Sequence, residues 1–256
     1  MSESRAWGAR DAAGCIAVPT AADDKYSRGV LGVVTGSDRY PGAAVLGVDA
    51  ALHTGLGMVR YLGPERAAAL VLQRRPEAVT APGRVQAWLL GSGVEATGFE
   101  GTAERAAGQA LAAGLPLVLD AGAIGRVGEA GGAPVILTPH HGELARLLGV
   151  DRASVAADPA LWARRASDRT GATVLLKGAV TRLAGPGIDL AVEGAPAWLA
   201  TAGTGDALAG ILGALLASNA GRVRDRPEAL AELGATAALV HGRGRGRGGG
   251  PVNRTP

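Results

Sequence analysis

The sequence predicts an α/β protein with a mostly parallel central sheet, and three observations support this fold class. Short runs of Val, Leu and Ile alternate with longer Ala-rich stretches along the 256 residues, which is the order of buried strands and covering helices. Glycine-rich turns separate these runs. Polar residues gather directly after the predicted strands, where parallel sheets bind their ligands. We therefore expect one domain with helices on both faces of the sheet.

The first half of the chain begins with an irregular lead-in over residues 1–24, which has room for one short helix. A domain over residues 25–241 is expected to follow. Apolar runs predict strands over residues 29–35, 55–61, 88–90 and 117–120, and Ala-rich runs predict helices over 43–54 and 100–113. The strands are short enough to be buried, since they consist of three to seven mostly apolar residues.

The second half repeats the same order. Strands are predicted over 135–138 and 173–177, helices over 144–148, 160–170 and 206–216, and a hairpin over 181–184 and 189–192. Gly185-Pro-Gly187 provides the turn of that hairpin. Residues 242–256 begin with alternating Gly and Arg, a low-complexity pattern that predicts an irregular tail.

Composition excludes several classes of protein. The single cysteine, Cys15, rules out an internal disulfide and a cysteine-based zinc site. No apolar run has the length of a membrane span and no signal-peptide pattern is present, so we expect a cytoplasmic protein without a membrane partner. The net charge of +3 is modest. The Gly/Arg tail has no aromatic residue to stack on a base, so we expect no nucleic-acid partner.

A glycine turn that runs directly into an apolar helix is the most informative local pattern. Residues Ala202-Gly-Thr-Gly205 form the turn, and the helix begins at Asp206. Glycines allow close backbone approach, and the helix start directs unpaired N–H groups at an anion such as phosphate. Asp206 then has two interpretations. It caps the helix or compensates the helix dipole in the first turn, or it is a base that takes a proton from a hydroxyl.

Four separated motifs follow one another along the chain: Tyr40-Pro-Gly-Ala-Ala44, Leu137-Thr-Pro-His-His-Gly-Glu143, Lys177-Gly-Ala-Val-Thr181 and Ala202-Gly-Thr-Gly-Asp206. Together they resemble the NAD(P)H-hydrate dehydratases of the ribokinase-like superfamily. They occur in the order typical of the family, and the resemblance covers residues 25–241. It implies a ribokinase-like, three-layer α/β/α fold.

The resemblance also implies a metabolite-repair reaction. The S form of NADHX or NADPHX, in which the reduced nicotinamide carries an added water, would be dehydrated to NADH or NADPH. The terminal phosphate of ADP or ATP would go to the hydrate hydroxyl and then leave by elimination, with Mg²⁺ as the metal. The family further implies a homo-oligomer, a tetramer, and an NAD(P)HX epimerase, encoded separately, as functional partner.

The family's functional positions fall on specific residues of this chain. Asp206 would be the catalytic base and would also contact NAD(P)HX. The implied nucleotide-binding residues are Lys177, Gly178, Ala179, Val180, Thr181, Gly203, Thr204 and Gly205, and the implied NAD(P)HX-binding residues are Ala43, Gly93 and His140. Glu143 would hold Mg²⁺ through a bound water.

One departure and two alternatives accompany this hypothesis. Glu95 puts a charge where the family has a glycine, in the loop Gly91-Ser-Gly-Val-Glu95. A vitamin-precursor kinase of the same fold would share the anion-binding turn and the base. A non-catalytic nucleotide- or nucleic-acid-binding protein would make use of the Gly/Arg tail, but the intact Gly-Thr-Gly-Asp206 motif argues against it.

Overall fold

A nine-stranded sheet forms the centre of the computed structural model, which describes residues 4–96 and 98–247. The strands are β1 Arg5–Ala6, β2 Val30–Val34, β3 Met58–Tyr61, β4 Ala87–Leu90, β5 Leu117–Leu119, β6 Val135–Leu137, β7 Thr173–Leu176, β8 Thr181–Gly185 and β9 Ile188–Val192. Their order is β1-β9-β8-β7-β6-β5-β4-β2-β3. Within this sheet β8 alone runs antiparallel to its neighbours, so the mostly parallel sheet is confirmed.

Helices cover both faces of the sheet. They are α1 Ala9–Ala13, α2 Pro41–His53, α3 Glu65–Arg74, α4 Gly101–Ala112, α5 His141–Leu148, α6 Arg152–Ala157, α7 Pro159–Thr170, α8 Thr204–Ser218, α9 Ala220–Asp225 and α10 Ala229–Arg247, with 3-10 segments at Ala121–Glu129 and Ala197–Leu199. None of these described helices is both long and apolar enough to cross a membrane.

Side chains of each strand alternate between two cores. Leu31 and Val33 of β2 pack into the core built with α2, α8 and α10. Val30 and Val34 point the other way, into the core built with α4, α5 and α7. This period of two is the reason that a buried parallel strand reads as a continuous apolar run. The three-layer α/β/α architecture is therefore confirmed.

The lead-in is more ordered than the sequence indicated. The short helix is present as α1, but Arg5 and Ala6 also pair in parallel with β9 as an edge strand. Trp7 is buried, and its indole Nε1 donates to Thr236 Oγ1 at 3.2 Å. A two-residue strand has no period to detect, so only its pairing with β9 in the folded chain reveals it.

The predicted boundary after His241 does not coincide with a break in the structure. Helix α10 continues through the first Gly/Arg repeats to Arg247, although glycine is a poor helix former. The helix is anchored upstream by buried residues such as Leu233 and Ala237. Those residues lie on several sides of the helix. The sequence therefore shows no clear amphipathic period, and its pattern did not predict α10. The part of the predicted tail over 248–256 lies outside the described residues.

Helices α2 and α8 meet at two glycines, and this contact positions the start of α8. A Cβ added to Gly210 would lie 2.1 Å from the Gly47 carbonyl oxygen. We expect Gly210→Ala to lower the free energy of unfolding by about 2 kcal/mol, because backbone must move to admit the methyl group. Urea denaturation measures this loss.

Gly108 is the matched control for this substitution. It lies inside α4, and a Cβ there would meet nothing within 4 Å. Gly108→Ala is expected to raise the free energy of unfolding by about 0.5–1 kcal/mol, since alanine restricts the unfolded chain and favours helix. Equal effects of the two substitutions would mean that the α2–α8 contact does not require glycine.

Candidate active site

A buried carboxylate joins three strands at the carboxyl edge of the sheet. Asp120 directly follows β5 and is 3% exposed. Its Oδ1 accepts hydrogen bonds from Thr138 Oγ1 at 2.8 Å and Lys177 Nζ at 3.0 Å, and its Oδ2 accepts one from Ser92 Oγ at 2.8 Å. The donors follow β6, β7 and β4, so this network fixes the ends of neighbouring strands.

Lys177 is the cation of the site. Its Nζ lies 3.0 Å from Asp120 Oδ1 and 3.9 Å from Glu143 Oε2. Burial by itself lowers the pKa of Lys177, but the negative charges of Asp120 and Glu143 outweigh burial and raise the pKa overall. The ammonium also faces α8, because a Cβ on Gly205 would lie 3.5 Å from Nζ. A permanent positive charge therefore lies against the start of that helix.

The turn before α8 requires a glycine. Gly203 is the N-cap residue and has φ of +87°, in the left-handed region. A Cβ at this position would also lie 2.6 Å from Leu46 Cδ1. The backbone angle is the reason for glycine, since the exposed Leu46 side chain could move away from a Cβ.

The first N–H groups of α8 are available to a ligand. The first hydrogen bond of the helix runs from the Ala207 N–H to the Gly203 carbonyl oxygen at 3.2 Å. The N–H groups of Thr204, Gly205 and Asp206 therefore precede the helical ladder, and no side chain caps them. Together with the positive end of the helix dipole, these donors have the geometry and polarity that suit an anion.

The Thr204 hydroxyl does not face this turn. It donates to the Leu199 carbonyl oxygen at 2.8 Å and lies 2.9 Å from that of Thr201. Thr204 can therefore contribute its backbone N–H to a ligand, while its side chain holds the preceding 3-10 segment.

Asp206 lies in the first turn of α8 with an altered acidity. Burial, followed by repulsion from Asp120, raises its pKa from 3.8 to about 6, and the Lys177 charge opposes the shift. The N-cap position belongs to Gly203, and α8 has no side-chain cap hydrogen bond. The capping interpretation of Asp206 thus lacks the hydrogen bond that defines it. A carboxylate with a raised pKa suits a general base.

His140 and Glu143 form a reciprocal cap at the start of α5. The His140 Nδ1 accepts from the N–H groups of Gly142 at 2.9 Å and Glu143 at 3.2 Å, while Glu143 Oε2 accepts from the His140 N–H at 2.8 Å. Because Nδ1 accepts, the ring proton of neutral His140 is on Nε2. The imidazole is 57% exposed, and its Nε2 lies 3.4 Å from Glu143 Oε1.

His141 has a structural position instead. It is partly buried, and a Cβ on Gly178 would lie 3.4 Å from its Nε2. Burial, with the nearby charges of Arg152 and His140, lowers the pKa of His141.

Gly178, Ala179 and Val180 form the turn between β7 and β8. Thr181 begins β8 and is buried. Lys177 links this turn to α8.

Ala43 and Gly93 meet on the other side of the site. A Cβ on Gly93 would lie 2.4 Å from the Ala43 Cβ and 3.0 Å from the Tyr40 carbonyl oxygen. The loop after β2 and the loop after β4 are therefore in direct contact. The glycine contact between α2 and α8 brings this junction toward Asp206, since a Cβ on Gly47 would lie 3.5 Å from the Asp206 carbonyl oxygen.

Sequence reasoning missed the central role of Asp120 and its two hydroxyl donors. Its position after a strand was visible, but partners that are 18 to 57 residues away were not.

No three His, Cys, Asp or Glu side chains of the described residues gather in a way that could hold a metal ion directly.

Known proteins resemble this chain in family, sequence and fold. A family model described as NAD(P)H-hydrate dehydratase matches residues 31–245. The ADP-dependent (S)-NAD(P)H-hydrate dehydratase of Xanthomonas campestris is 34% identical over 218 residues, which are 76% of this chain and 74% of that protein. The bifunctional NAD(P)H-hydrate repair enzyme Nnr of Mycobacterium tuberculosis is 44% identical over 222 residues, 82% of this chain and 45% of the enzyme.

The chain spans less than half the length of the bifunctional relatives that it matches. Among solved structures, the ADP/ATP-dependent NAD(P)H-hydrate dehydratase from Bacillus subtilis, crystallised with ATP and Mg²⁺, superposes with a TM-score of 0.81 at 27% identity. The superposition covers 95% of this chain and 89% of that one. Structural similarity of this kind confirms the ribokinase-like fold.

Proposed function

Since the chain belongs to the NAD(P)H-hydrate dehydratase family, we propose that it restores NADH and NADPH from the S forms of NADHX and NADPHX, with hydrolysis of ADP or ATP. The observation that carries this proposal is the arrangement around α8. An uncapped helix start, the Lys177 ammonium and a carboxylate with a pKa of about 6 lie together. Phosphoryl transfer to a hydroxyl requires an anion site, a cation and a base.

The proposed reaction begins with Asp206. Its carboxylate takes the proton from the C6 hydroxyl of the hydrated nicotinamide, and the hydroxyl oxygen attacks the terminal phosphorus of the nucleotide. The bond from that phosphorus to the leaving nucleotide breaks, which releases AMP from ADP or ADP from ATP. The ring nitrogen lone pair then expels phosphate from C6, and loss of a proton from C5 restores the double bond of NADH.

The nucleotide is proposed to bind on the β7 and α8 side. The N–H groups of Thr204 and Gly205, at the turn begun by Gly203, would hold the terminal phosphate, where Lys177 adds its charge. The turn Gly178-Ala-Val180 with Thr181 would hold the rest of the nucleotide. Ala43 and Gly93, on the β2 and β4 side, would bind NAD(P)HX together with His140, which lies beside Lys177. Asp206 would then lie between the two substrates.

Mg²⁺ fits this site through Glu143 and the nucleotide. The Glu143 carboxylate is 14% exposed and already accepts the His140 N–H at 2.8 Å. Mg²⁺ usually keeps several waters and binds phosphates with few carboxylates. We therefore propose that Glu143 holds the ion through a bound water and that phosphates are the direct ligands. The bound ion would neutralise charge on the transferred phosphoryl group.

Two partner proposals accompany the reaction. The first is an NAD(P)HX epimerase, which would supply the S form. The bifunctional repair enzymes among the relatives support a second repair activity alongside this one.

The second is a homo-oligomer, a tetramer. Exposed apolar side chains support it, since Trp198 is 62% exposed and Leu46 and Val240 are 44% and 38% exposed. Light scattering of the protein as it elutes from a size-exclusion column measures its molar mass and thus the number of subunits.

A spectrophotometric assay tests the proposed function. The purified protein is incubated with Mg²⁺, enzymatically prepared NADHX and either ADP or ATP, and absorbance is followed at the reduced-nicotinamide band. We expect nucleotide-dependent recovery of NADH together with free phosphate. Folded protein that binds nucleotide but gives no NADH with either donor would contradict the proposal and favour the vitamin-precursor kinase, which would release a phosphorylated product.

The pH profile gives a second test. A base must be deprotonated to act, so kcat/KM is expected to rise tenfold per pH unit up to about 6, the pKa of Asp206, and to level off above it. Circular dichroism at each pH confirms that the protein stays folded. An acidic limb near 3.8, the ordinary value for aspartate, would show that the raised pKa is not that of the base.

A further inference from the structure

An exposed ion pair joins the two loops on the proposed NAD(P)HX side. Arg39 Nη1 lies 2.7 Å from Glu95 Oε1, and the two side chains are 70% and 40% exposed. The Arg39 guanidinium also lies 5.6 Å from the centre of the Tyr40 ring. Arg39 belongs to the loop after β2 and Glu95 to the loop after β4, which meet at Ala43 and Gly93.

The position of this pair along the sheet edge matters for a long substrate. Lys177 follows β7, Asp120 follows β5, and the loops with Glu95 and Arg39 follow β4 and β2. The nucleotide is proposed to occupy the β7 end, and the dinucleotide with its hydroxyl at Asp206 is proposed to extend toward β4 and β2. Arg39 and Glu95 lie on the loops at that end of the sheet edge, where the phosphates of such a dinucleotide would pass.

We propose that Arg39 binds phosphate oxygens of the dinucleotide substrate, and that Glu95 is the carboxylate exchanged for them; this inference rests on the proposed function. A guanidinium forms paired hydrogen bonds with phosphate as readily as with carboxylate. Exposed ion pairs contribute little stability, so the exchange costs little. Glu95 competes with the phosphate for the Arg39 guanidinium and thereby lowers substrate affinity.

The opposite signs of two substitutions test this exchange. Arg39→Gln is expected to weaken NADPH binding, measured by titration calorimetry, and to raise KM for NADPHX, each by about 5- to 20-fold. Glu95→Gln, which removes the competing charge, is expected to strengthen NADPH binding by about 2- to 5-fold. In the double variant the Glu95→Gln gain should disappear. Arg105→Gln, exposed on α4, is the charge-matched control and should change neither value.

Comparing the affinities for NADH and NADPH identifies the phosphate that Arg39 binds. Equal losses for NADH and NADPH indicate the bridging diphosphate, whereas a loss confined to NADPH indicates the 2′-phosphate. Weaker binding in both single variants would mean that the pair only holds the loops together, and it would overturn the exchange. Unchanged affinity for both dinucleotides in Arg39→Gln would overturn phosphate binding altogether.

Binding and turnover separate this inference from the proposed function. Calorimetry with NADH and NADPH requires no catalysis. If Arg39→Gln weakens binding of these dinucleotides while the wild-type protein shows no NADHX dehydration, the proposed function fails and the phosphate site stands. If dehydration proceeds and the Arg39 substitution leaves affinity and KM unchanged, the site fails and the function stands.

Discussion

Replacing Asp206 by asparagine should lower kcat by about 10²–10⁴-fold, the usual effect of losing a positioned base. The amide keeps the size of the side chain but cannot take the hydroxyl proton. Affinities for ADP and NADPH should stay within a few-fold of wild type, since the backbone N–H groups and Lys177 that would hold phosphate are unchanged. Single-turnover assays and calorimetry measure the two quantities separately.

The same variant should be more stable than wild type above pH 6. Folding raises the pKa of Asp206 from 3.8 to about 6. Between these two pH values the native state therefore binds more protons than the unfolded state. The contribution of Asp206 to stability is therefore greatest below pH 3.8 and is lost as the pH rises through about 6. The free energy of unfolding of Asp206→Asn, relative to that of wild type, should increase by about 1 kcal/mol from pH 4 to pH 8. The upper limit of this increase is about 3 kcal/mol.

Two outcomes would contradict this account of Asp206. Unchanged turnover in a folded Asp206→Asn protein would remove it from the reaction. A stability difference that does not vary between pH 4 and pH 8 would mean that the carboxylate is not destabilised by burial. Asp225, at the end of α9, is a matched control: Asp225→Asn should change neither turnover nor the pH dependence of stability.

Replacing Lys177 by methionine should damage both stability and nucleotide binding. Asp120 has a side chain that is 4% exposed and lies 3.0 Å from Lys177 Nζ. Without the ammonium this buried charge has lost its ionic partner, which typically costs about 3–5 kcal/mol. Urea denaturation at pH 7 measures the loss. ADP affinity should fall by about 10- to 100-fold, because a charged hydrogen bond to phosphate is removed.

A double variant separates the two roles of Lys177. Adding Asp120→Asn to Lys177→Met removes the unpaired charge. The amide oxygen can accept from the Thr138 hydroxyl, and the amide nitrogen can donate to the Ser92 hydroxyl oxygen. Most of the lost stability should return, but the loss of ADP affinity should persist. Full recovery of ADP affinity in the double variant would show that Lys177 only neutralises Asp120 and does not contact the nucleotide.

The sequence determined the layers of this protein and the local chemistry of its central motif. Strands such as Val30–Val34 are continuous apolar runs because both of their faces are buried, and that pattern is visible without coordinates. The turn at Gly203 and the helix that begins beside Asp206 are equally local, since glycine conformation and free N–H groups depend on adjacent residues. These features were predicted because their causes lie within a few positions.

Tertiary structure alone decided what depends on distant residues. Asp120 became the centre of the site because β4, β6 and β7 bring Ser92, Thr138 and Lys177 to it. The pKa of Asp206 has the same origin, because burial and the charges of Asp120 and Lys177 act through space. The edge strand β1 and the extension of α10 to Arg247 likewise depend on packing that overrides local propensity. Sequence spacing carries none of these distances, so only the folded chain reveals them.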